Sequence, residues 1–243
     1  MSEIAVKERE ETLVENVNEN IKLENQMYKL KVRQKIYAGI KSFIDWNIAF
    51  VALIVLVPVF LIVGVAIKID SKGPVFFSHK RIGKHGKEFY CIKFRSMTTD
   101  ARHDVAGYEY EEATSHITKV GKFIRKTSID ELPQLFNVIC GKMSLIGYRP
   151  SQKSEITLNR ARESYNLYQI KPGITGWAQV NGRDELAAKP VEKAKYDAYY
   201  LKNFSLFLDI KILFKTVKQI VCGDSEVREG IVDNKTKDVT ENE

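Results

Sequence analysis

Residues 48–67 read IAFVALIVLVPVFLIVGVAI, a run with no charge, amide or hydroxyl. As a helix rising about 1.5 Å per residue it covers roughly 30 Å, the thickness of a bilayer's hydrocarbon core. Pro58 interrupts it near the middle, where a proline removes a backbone donor and crowds the preceding turn. Both flanks are basic: Lys29, Lys31, Arg33, Lys35 and Lys41 precede the run, and Lys68, Lys72, Lys80, Arg81, Lys84 and Lys87 follow it. Basic flanks stay on the cytoplasmic side, and a straight crossing satisfies only one of them. A helix broken at Pro58 that dips in and returns satisfies both. Composition and charge leave two readings level: this re-entrant dip over about residues 44–69, and an ordinary signal anchor with one basic flank overruled.

Upstream, Val32, Ile36, Ile40 and Phe43 recur at helical spacing among Lys31, Arg33, Lys35 and Lys41. That pattern predicts an amphipathic helix at headgroup level leading into Trp46, an interfacial anchor. Residues 1–28 are acidic and poor in aromatics, and are expected to form a mobile arm.

Downstream, two aromatic and β-branched runs, Val75–Lys80 and Glu88–Phe94, bracket Gly83-Lys84-His85-Gly86 and predict a β-hairpin. Residues 98–116 are polar and predict a mobile surface helix or loop; His103 and His116 there are expected to be solvated. From Ile117 a helix is expected, with Val120, Phe123 and Ile124 on one side. Ser128 and Glu131 have capping-box spacing. Pro133 favours a helix start nearer Asp130, and Gly141 is expected to close that helix. Residues 142–150 read as a loop, 151–168 as a polar helix, and 171–183 as a glycine-rich loop around Trp177. Pro190 to about Val221 reads as helical, first polar and then apolar. The fold class is therefore α+β, mostly α: a membrane domain over residues 29–221 with one small hairpin, followed by an acidic tail at 222–243.

The chain of 243 residues has net charge +7. The two terminal stretches, 1–28 and 222–243, each carry seven acidic and three basic side chains, leaving 32 basic against 17 acidic, about +15, for residues 29–221. Such charge suits phosphate-rich ligands, anionic lipid or nucleic acid. Cys91, Cys140 and Cys222 show neither CxxC nor metal-ligand spacing, which fits a reducing compartment without structural zinc.

Chemistry could reside at Asp130-Glu131, with Arg125 and Lys126 before it and Arg149 after it. A carboxylate beside cations and a helix start is expected to stay ionised, able to bind Mg²⁺ or attack phosphorus. The plain alternative is a capping pair among surface charges, and Asp184-Glu185 repeats the dipeptide. Lys93 and Arg95 at the strand end, and Arg183, could clamp phosphate or be surface charges. Gly173, Gly176 and Gly182 would let backbone approach a ligand, and Trp177 could stack on a base or pack in the core.

In its ordered motifs the chain resembles the bacterial membrane-bound sugar transferases, the monotopic polyprenyl-phosphate phosphoglycosyl transferases. The resemblance covers about Phe43 to Val221: the apolar run with its central proline, GPVFFSHKRIGKHGKEFYCIKFRSM from Gly73, RKTSIDELPQLFNVICGKMSLIGYRP from Arg125, and PGITGWAQVNGR from Pro172. It implies transfer of a sugar-1-phosphate from a UDP-sugar to undecaprenyl phosphate, at the cytoplasmic face of a bacterial inner membrane. It makes Asp130 the nucleophile, Glu131 with Asp130 the Mg²⁺ site, and Arg125, Arg149 and Arg183, with Arg95, phosphate contacts. The loop bearing Gly173, Gly176, Trp177 and Gln179 would meet the nucleotide sugar. The family uses a proline-broken dip, so the resemblance implies a monotopic domain with a re-entrant helix and interfacial amphipathic helices rather than a crossing. The family's helix break is often Ser-Pro, and here it is Val57-Pro58. Larger members carry membrane spans before this domain, and none is expected here. The product would start a capsule or exopolysaccharide, with other glycan-assembly enzymes as possible partners and no nucleic acid. The reading from another class is a non-catalytic, membrane-anchored basic module that docks on anionic lipid or nucleic acid.

Overall fold

The computed structural model describes residues 28–99, 116–182, 186 and 188–222. The acidic arm and tail, residues 100–115 with His103, and Arg183 with Asp184-Glu185 lie outside the described residues.

The apolar run is split where its proline stands. Helix α1 (Val32–Val55) ends at Leu56, and α2 (Val57–Asp70) follows with Pro58 in its first turn, where a missing donor costs nothing. Leu56 sits near φ −86°, ψ 0°, and the Leu56 and Phe60 amides bond to Ala52 and Leu56 carbonyls across the break. Most of the apolar surface of both helices is turned outward: Val32, Ile36, Phe43, Ile48, Val51, Ile54, Leu61, Ile62, Val65 and Ile69 are exposed. Their inner edges pack on the rest of the chain. Ala49, with Ala52, Leu53 and Leu56 beside it, meets Phe89, Cys91, Leu135, Val138 and Met143. Val63 and Ile67 meet Phe94 and Ile124.

Strands β1 (Phe76–Ile82) and β2 (Glu88–Phe94) form the expected antiparallel hairpin, pairing Phe76 with Phe94 and Ile82 with Glu88. A 3₁₀ turn, Lys84–Gly86, joins them, with His85 and Gly86 at positive φ. Strand alternation directs Phe89, Cys91 and Lys93 to one face. Helix α3 (Lys119–Lys126) starts at Thr118, whose hydroxyl accepts from the Gly121 amide. Its Ile124 is buried, but Phe123, placed by periodicity on the same side, is exposed.

The capping box does not form: Ser128 is left-handed (φ 57°) and makes no side-chain cap. Asp130 and Glu131 instead lie in a 3₁₀ turn, Ile129–Glu131, and helix α4 (Gln134–Ile139) begins only after Pro133. Gly141, at φ 71°, closes α4 as expected, with Gly141 and Lys142 amides on the Val138 and Asn137 carbonyls.

Residues 142–150 contain a strand, β3 (Ser144–Ile146), and the presumed glycine loop contains its parallel partner β4 (Gly173–Thr175) and helix α6 (Trp177–Gly182). Between them lie α5 (Ile156–Ser164), shorter than the 151–168 expected, and a 3₁₀ turn at Leu167–Gln169. The final helical stretch is two helices, α7 (Pro190–Lys202) and α8 (Leu206–Cys222). Ser205, whose hydroxyl accepts from the Leu208 amide at 3.4 Å, opens the second.

A buried polar network ties α1 to this C-terminal half. Lys41 pairs with Asp45 at 3.1 Å and Asp209 at 2.9 Å. Tyr37 and Tyr200 donate to Asp209, and the Ser144 hydroxyl donates to Asp45. Lys41, grouped by sequence with the headgroup cations, is an internal ion-pair residue.

Candidate functional site

The hairpin, the 3₁₀ turn and the segment after β3 bring a set of charges together. Lys93, on the inward face of β2, places its ammonium 2.8 Å from Glu131 Oε1 and 4.0 Å from Asp130 Oδ2. Arg149 grips Glu131 with both guanidinium ends, at 2.7 Å to Oε1 and 3.2 Å to Oε2. Asp130 and Glu131 are both buried. Asn137 of α4 clips this assembly to β2: it accepts from the Ile92 amide and donates to the Tyr90 carbonyl.

The two adjacent carboxylates respond differently to burial. For Glu131, burial raises the pKa, but Arg149 and then Lys93 overcome that and hold it well below the usual carboxylate range. For Asp130, burial prevails and pushes its carboxyl up, with Lys93, Arg125 and Arg149 opposing and Glu131 adding to the rise. The expectation that flanking cations dominate Asp130 is therefore corrected, because desolvation is the larger influence. Nor does Asp130 stand at an α-helix N-terminus.

Arg125 donates through Nε to the Ser96 hydroxyl at 2.8 Å. That approach requires Gly121: a β-carbon there would lie 2.0 Å from the Ser96 carbonyl oxygen. Arg95, predicted as a phosphate contact, is buried elsewhere. Its Nη1 donates to the Lys72 carbonyl at 2.9 Å and its Nη2 to the Ser71 carbonyl at 2.7 Å, so it fastens the exit of α2. Lys93, two residues earlier, takes the place at the acidic pair.

Gly173 and Gly176 serve the fold. A β-carbon on Gly176 would lie 1.8 Å from the Gly147 carbonyl oxygen, and one on Gly173 would lie 2.0 Å from the Gly147 nitrogen. The two segments pack backbone to backbone, leaving no room for a ligand between them. Trp177 is half-buried, stacks on Tyr199 at 5.2 Å and carries Lys211 and Lys215 over its ring at 5.5 and 5.0 Å. Gln179 turns inward and donates to the Ile174 carbonyl.

Two positioning residues escape sequence reading. Arg162 and Asp197 form a fully buried pair at 2.6 Å, and Arg162 Nη1 donates to the Arg149 carbonyl at 2.9 Å. An arginine within a polar helix reads as a surface charge; only the parity of α5 with Leu158 and Ala161 hints at burial. Arg81 is a further partly buried cation. Burial and Arg149 push it down to about 10, and it meets Glu155 at 3.3 Å.

A Mg²⁺ ion held jointly by Asp130 and Glu131 does not fit this geometry. Both Glu131 oxygens already accept from cations, and Mg²⁺ demands close oxygen ligands in octahedral array. Among the described residues no group of three or more His, Cys, Asp or Glu is placed to hold a metal.

The acidic pair thus lies among Lys93, Arg125 and Arg149, on the same folded unit as the apolar broken helix. The chain belongs to the bacterial sugar transferases, whose family model matches residues 36–223. It is 41% identical over 221 residues to the UDP-N-acetylgalactosamine-undecaprenyl-phosphate N-acetylgalactosaminephosphotransferase of Aeromonas hydrophila, covering 90% of this chain and 52% of that one. It is 40% identical to the UDP-glucose:undecaprenyl-phosphate glucose-1-phosphate transferase of Xanthomonas campestris pv. campestris, over 78% of this chain and 40% of that one. It is 36% identical to the exopolysaccharide production protein ExoY of Sinorhizobium fredii, over 74% of this chain and 84% of that one. The chain thus spans about half of the first relative's length and two fifths of the second's.

Proposed function

We propose that this chain transfers a sugar-1-phosphate from a UDP-sugar to undecaprenyl phosphate in two steps, through Asp130. The observation that carries this reading is the unequal state of the acidic pair. Glu131 is consumed by Arg149 and Lys93, whereas the described partner of Asp130, Lys93, stands 4.0 Å away, beyond hydrogen-bond reach. Asp130 is the carboxylate left to react. One of its oxygens attacks the phosphorus that bears the sugar, the diphosphate bridge breaks, and UMP leaves with the bridging oxygen. A phosphate oxygen of undecaprenyl phosphate then attacks the same phosphorus. The bond to Asp130 breaks, and the lipid diphosphate-sugar forms. In this reading Lys93, Arg149 and Arg125 neutralise charge gathering on the transferred phosphoryl group, and burial of Asp130 excludes competing water. A magnesium ion fits this account only as a companion of the donor's diphosphate, since Glu131 is already paired.

The membrane arrangement belongs to the same proposal. Helix α1 is long and apolar enough to cross a membrane by length and composition. Yet both ends of the broken pair are tied to one folded unit. Before α1 the Tyr28 carbonyl accepts from Gln169 at 2.6 Å, and in its first turn Gln34 donates to the Lys202 carbonyl at 3.2 Å. After α2, Asp70 accepts from the Val120 amide at 2.8 Å, and Arg95 holds Ser71 and Lys72. Those ties favour a re-entrant dip with both ends on one side, and the basic flanks favour the cytoplasmic side. Phe60, just past the break, packs on Phe76, Phe94 and Phe136. Phe76 and Phe136 also line an apolar cleft of about 320 Å³ with Phe77, Ser78 and Ile92, which suits the first isoprene units of the acceptor. The product would start a surface glycan such as a capsule or exopolysaccharide.

Two experiments test this function. The chain embedded in membrane, given undecaprenyl phosphate and a panel of UDP-sugars, is expected to release UMP with at least one donor; no release with any contradicts the reading. Single cysteines at positions 20 and 75, in a background without the native three, are expected to label from the same side. Labelling from opposite sides contradicts the dip.

A further inference from the structure

We infer that Glu131 is a positioning residue: it clasps the Lys93 ammonium and the Arg149 guanidinium into one cationic floor beside Asp130, and it ligates no metal ion. This deepens the phosphoglycosyl-transfer reading and rests on it. Lys93 comes from β2 and Arg149 from the turn after β3, so no short stretch of chain sets the distance between them. Both reach Glu131 Oε1, at 2.8 and 2.7 Å, and Arg149 reaches Oε2 as well at 3.2 Å. Two cations sharing one buried oxygen repel each other once the carboxylate is removed. The backbone of Arg149 is already fixed, because the buried Arg162, itself paired with Asp197, donates to its carbonyl. What remains for Glu131 to set is the direction of the side chain. With Lys93 and Arg149 at +1 each and Glu131 at −1, the floor keeps one net positive charge, suited to an incoming diphosphate. A metal ion on Glu131 would have to displace Arg149 from both carboxylate oxygens and would set another cation against Lys93 and Arg149.

The test compares wild type, Glu131→Gln, Arg149→Ala and the double variant as full chains in membrane. In UMP release, Glu131→Gln is expected to raise KM for the UDP-sugar roughly tenfold or more, the effect of losing charge-assisted hydrogen bonds. In the Arg149→Ala background, the same change is expected to cost clearly less than in wild type, because one of the two cations that Glu131 orients is gone and only Lys93 remains. Independently of turnover, Mn²⁺ binding followed by electron paramagnetic resonance without nucleotide is expected to be equal in wild type and Glu131→Gln. Multiplying losses in the double variant, or about tenfold weaker Mn²⁺ binding by Glu131→Gln, overturns the proposal. If Glu131→Gln fails to fold by thermal melting, Glu131→Asp replaces it: the charge stays but the reach shortens. Raised KM with unchanged Mn²⁺ binding then supports the proposal, and weakened Mn²⁺ binding overturns it. Wild type inactive with every donor defeats the transfer reading alone, and the Mn²⁺ comparison still decides whether Glu131 is a metal ligand.

Discussion

Asp130 and Glu131 are neighbours in sequence with opposite physical situations. Glu131 is depressed by its cations and stabilises the fold at every pH above the ordinary carboxylate range. That contribution is lost only in stronger acid, as pH falls through its depressed folded value. Asp130 has the reverse sign. Its raised value means that the ionised form destabilises the fold as pH rises above the unfolded carboxylate value. Asp130→Asn is therefore expected to abolish UMP release yet melt higher than wild type at neutral pH, with the gap closing as pH falls. A lower melting temperature for the variant at pH 7 would contradict this, and so would normal turnover. Asp184→Asn is expected to keep turnover. At this scale the sequence located the acidic pair and Arg149, but not how they divide the charge. Lys93 rather than Arg95 meets the acids because β2 ends at Phe94, and Arg95 then turns to the α2 exit. Arg162 and Asp197 were invisible because burial of a charge is decided by partners distant in the chain.

Between residue and molecule, the elements legible in advance were those with local chemistry. The proline break, the glycine-bounded hairpin and the Gly141 stop all follow from backbone rules. The elements misread are tertiary in origin. The stretch from Pro172 to Gly182 looks like a loop, but Gly173 and Gly176 let the chain from β4 into α6 touch the Gly147 backbone. Gly176→Ala is accordingly expected to destabilise by at least about 1–3 kcal/mol, read by thermal melting; an unchanged melting temperature contradicts the contact. Arg162→Ala is expected to cost about 3–5 kcal/mol, because Asp197 is left buried without its partner. The paired change Arg162→Met with Asp197→Leu should recover much of that stability but not activity, since the Arg149 carbonyl stays unheld. Full activity in the paired variant would show that the link to Arg149 is idle. Pro58→Ala supplies the amide that the ring lacks and removes the steric reason for the break. It is expected to move part of the label at position 75 to the far side of the membrane, and unchanged labelling would show that the ties of Tyr28 and Asp70 hold the dip alone.

For the molecule as a whole, the sequence disclosed a basic interior and an apolar run, and the structure shows how they are shared out. Helix α8 has three faces: Leu208 and Ile212 buried, Leu206, Phe207, Ile210, Phe214 and Val217 exposed and apolar, and Lys211 and Lys215 beside Trp177. The outward faces of α1 and α2 are likewise apolar, surfaces that suit lipid better than water, and lysines beside them can snorkel to headgroups. The buried Lys41–Asp45–Asp209 network joins that surface to the half bearing Arg149. The central claim, transfer through Asp130 in two separable steps, is tested most directly by mass spectrometry of the membrane-embedded chain incubated with an accepted UDP-sugar and no undecaprenyl phosphate. The account predicts at most one UMP per chain and a sugar-phosphate adduct on the peptide containing Asp130, discharged when the lipid phosphate is added. UMP released only after lipid is added, with no adduct on that peptide, would contradict it.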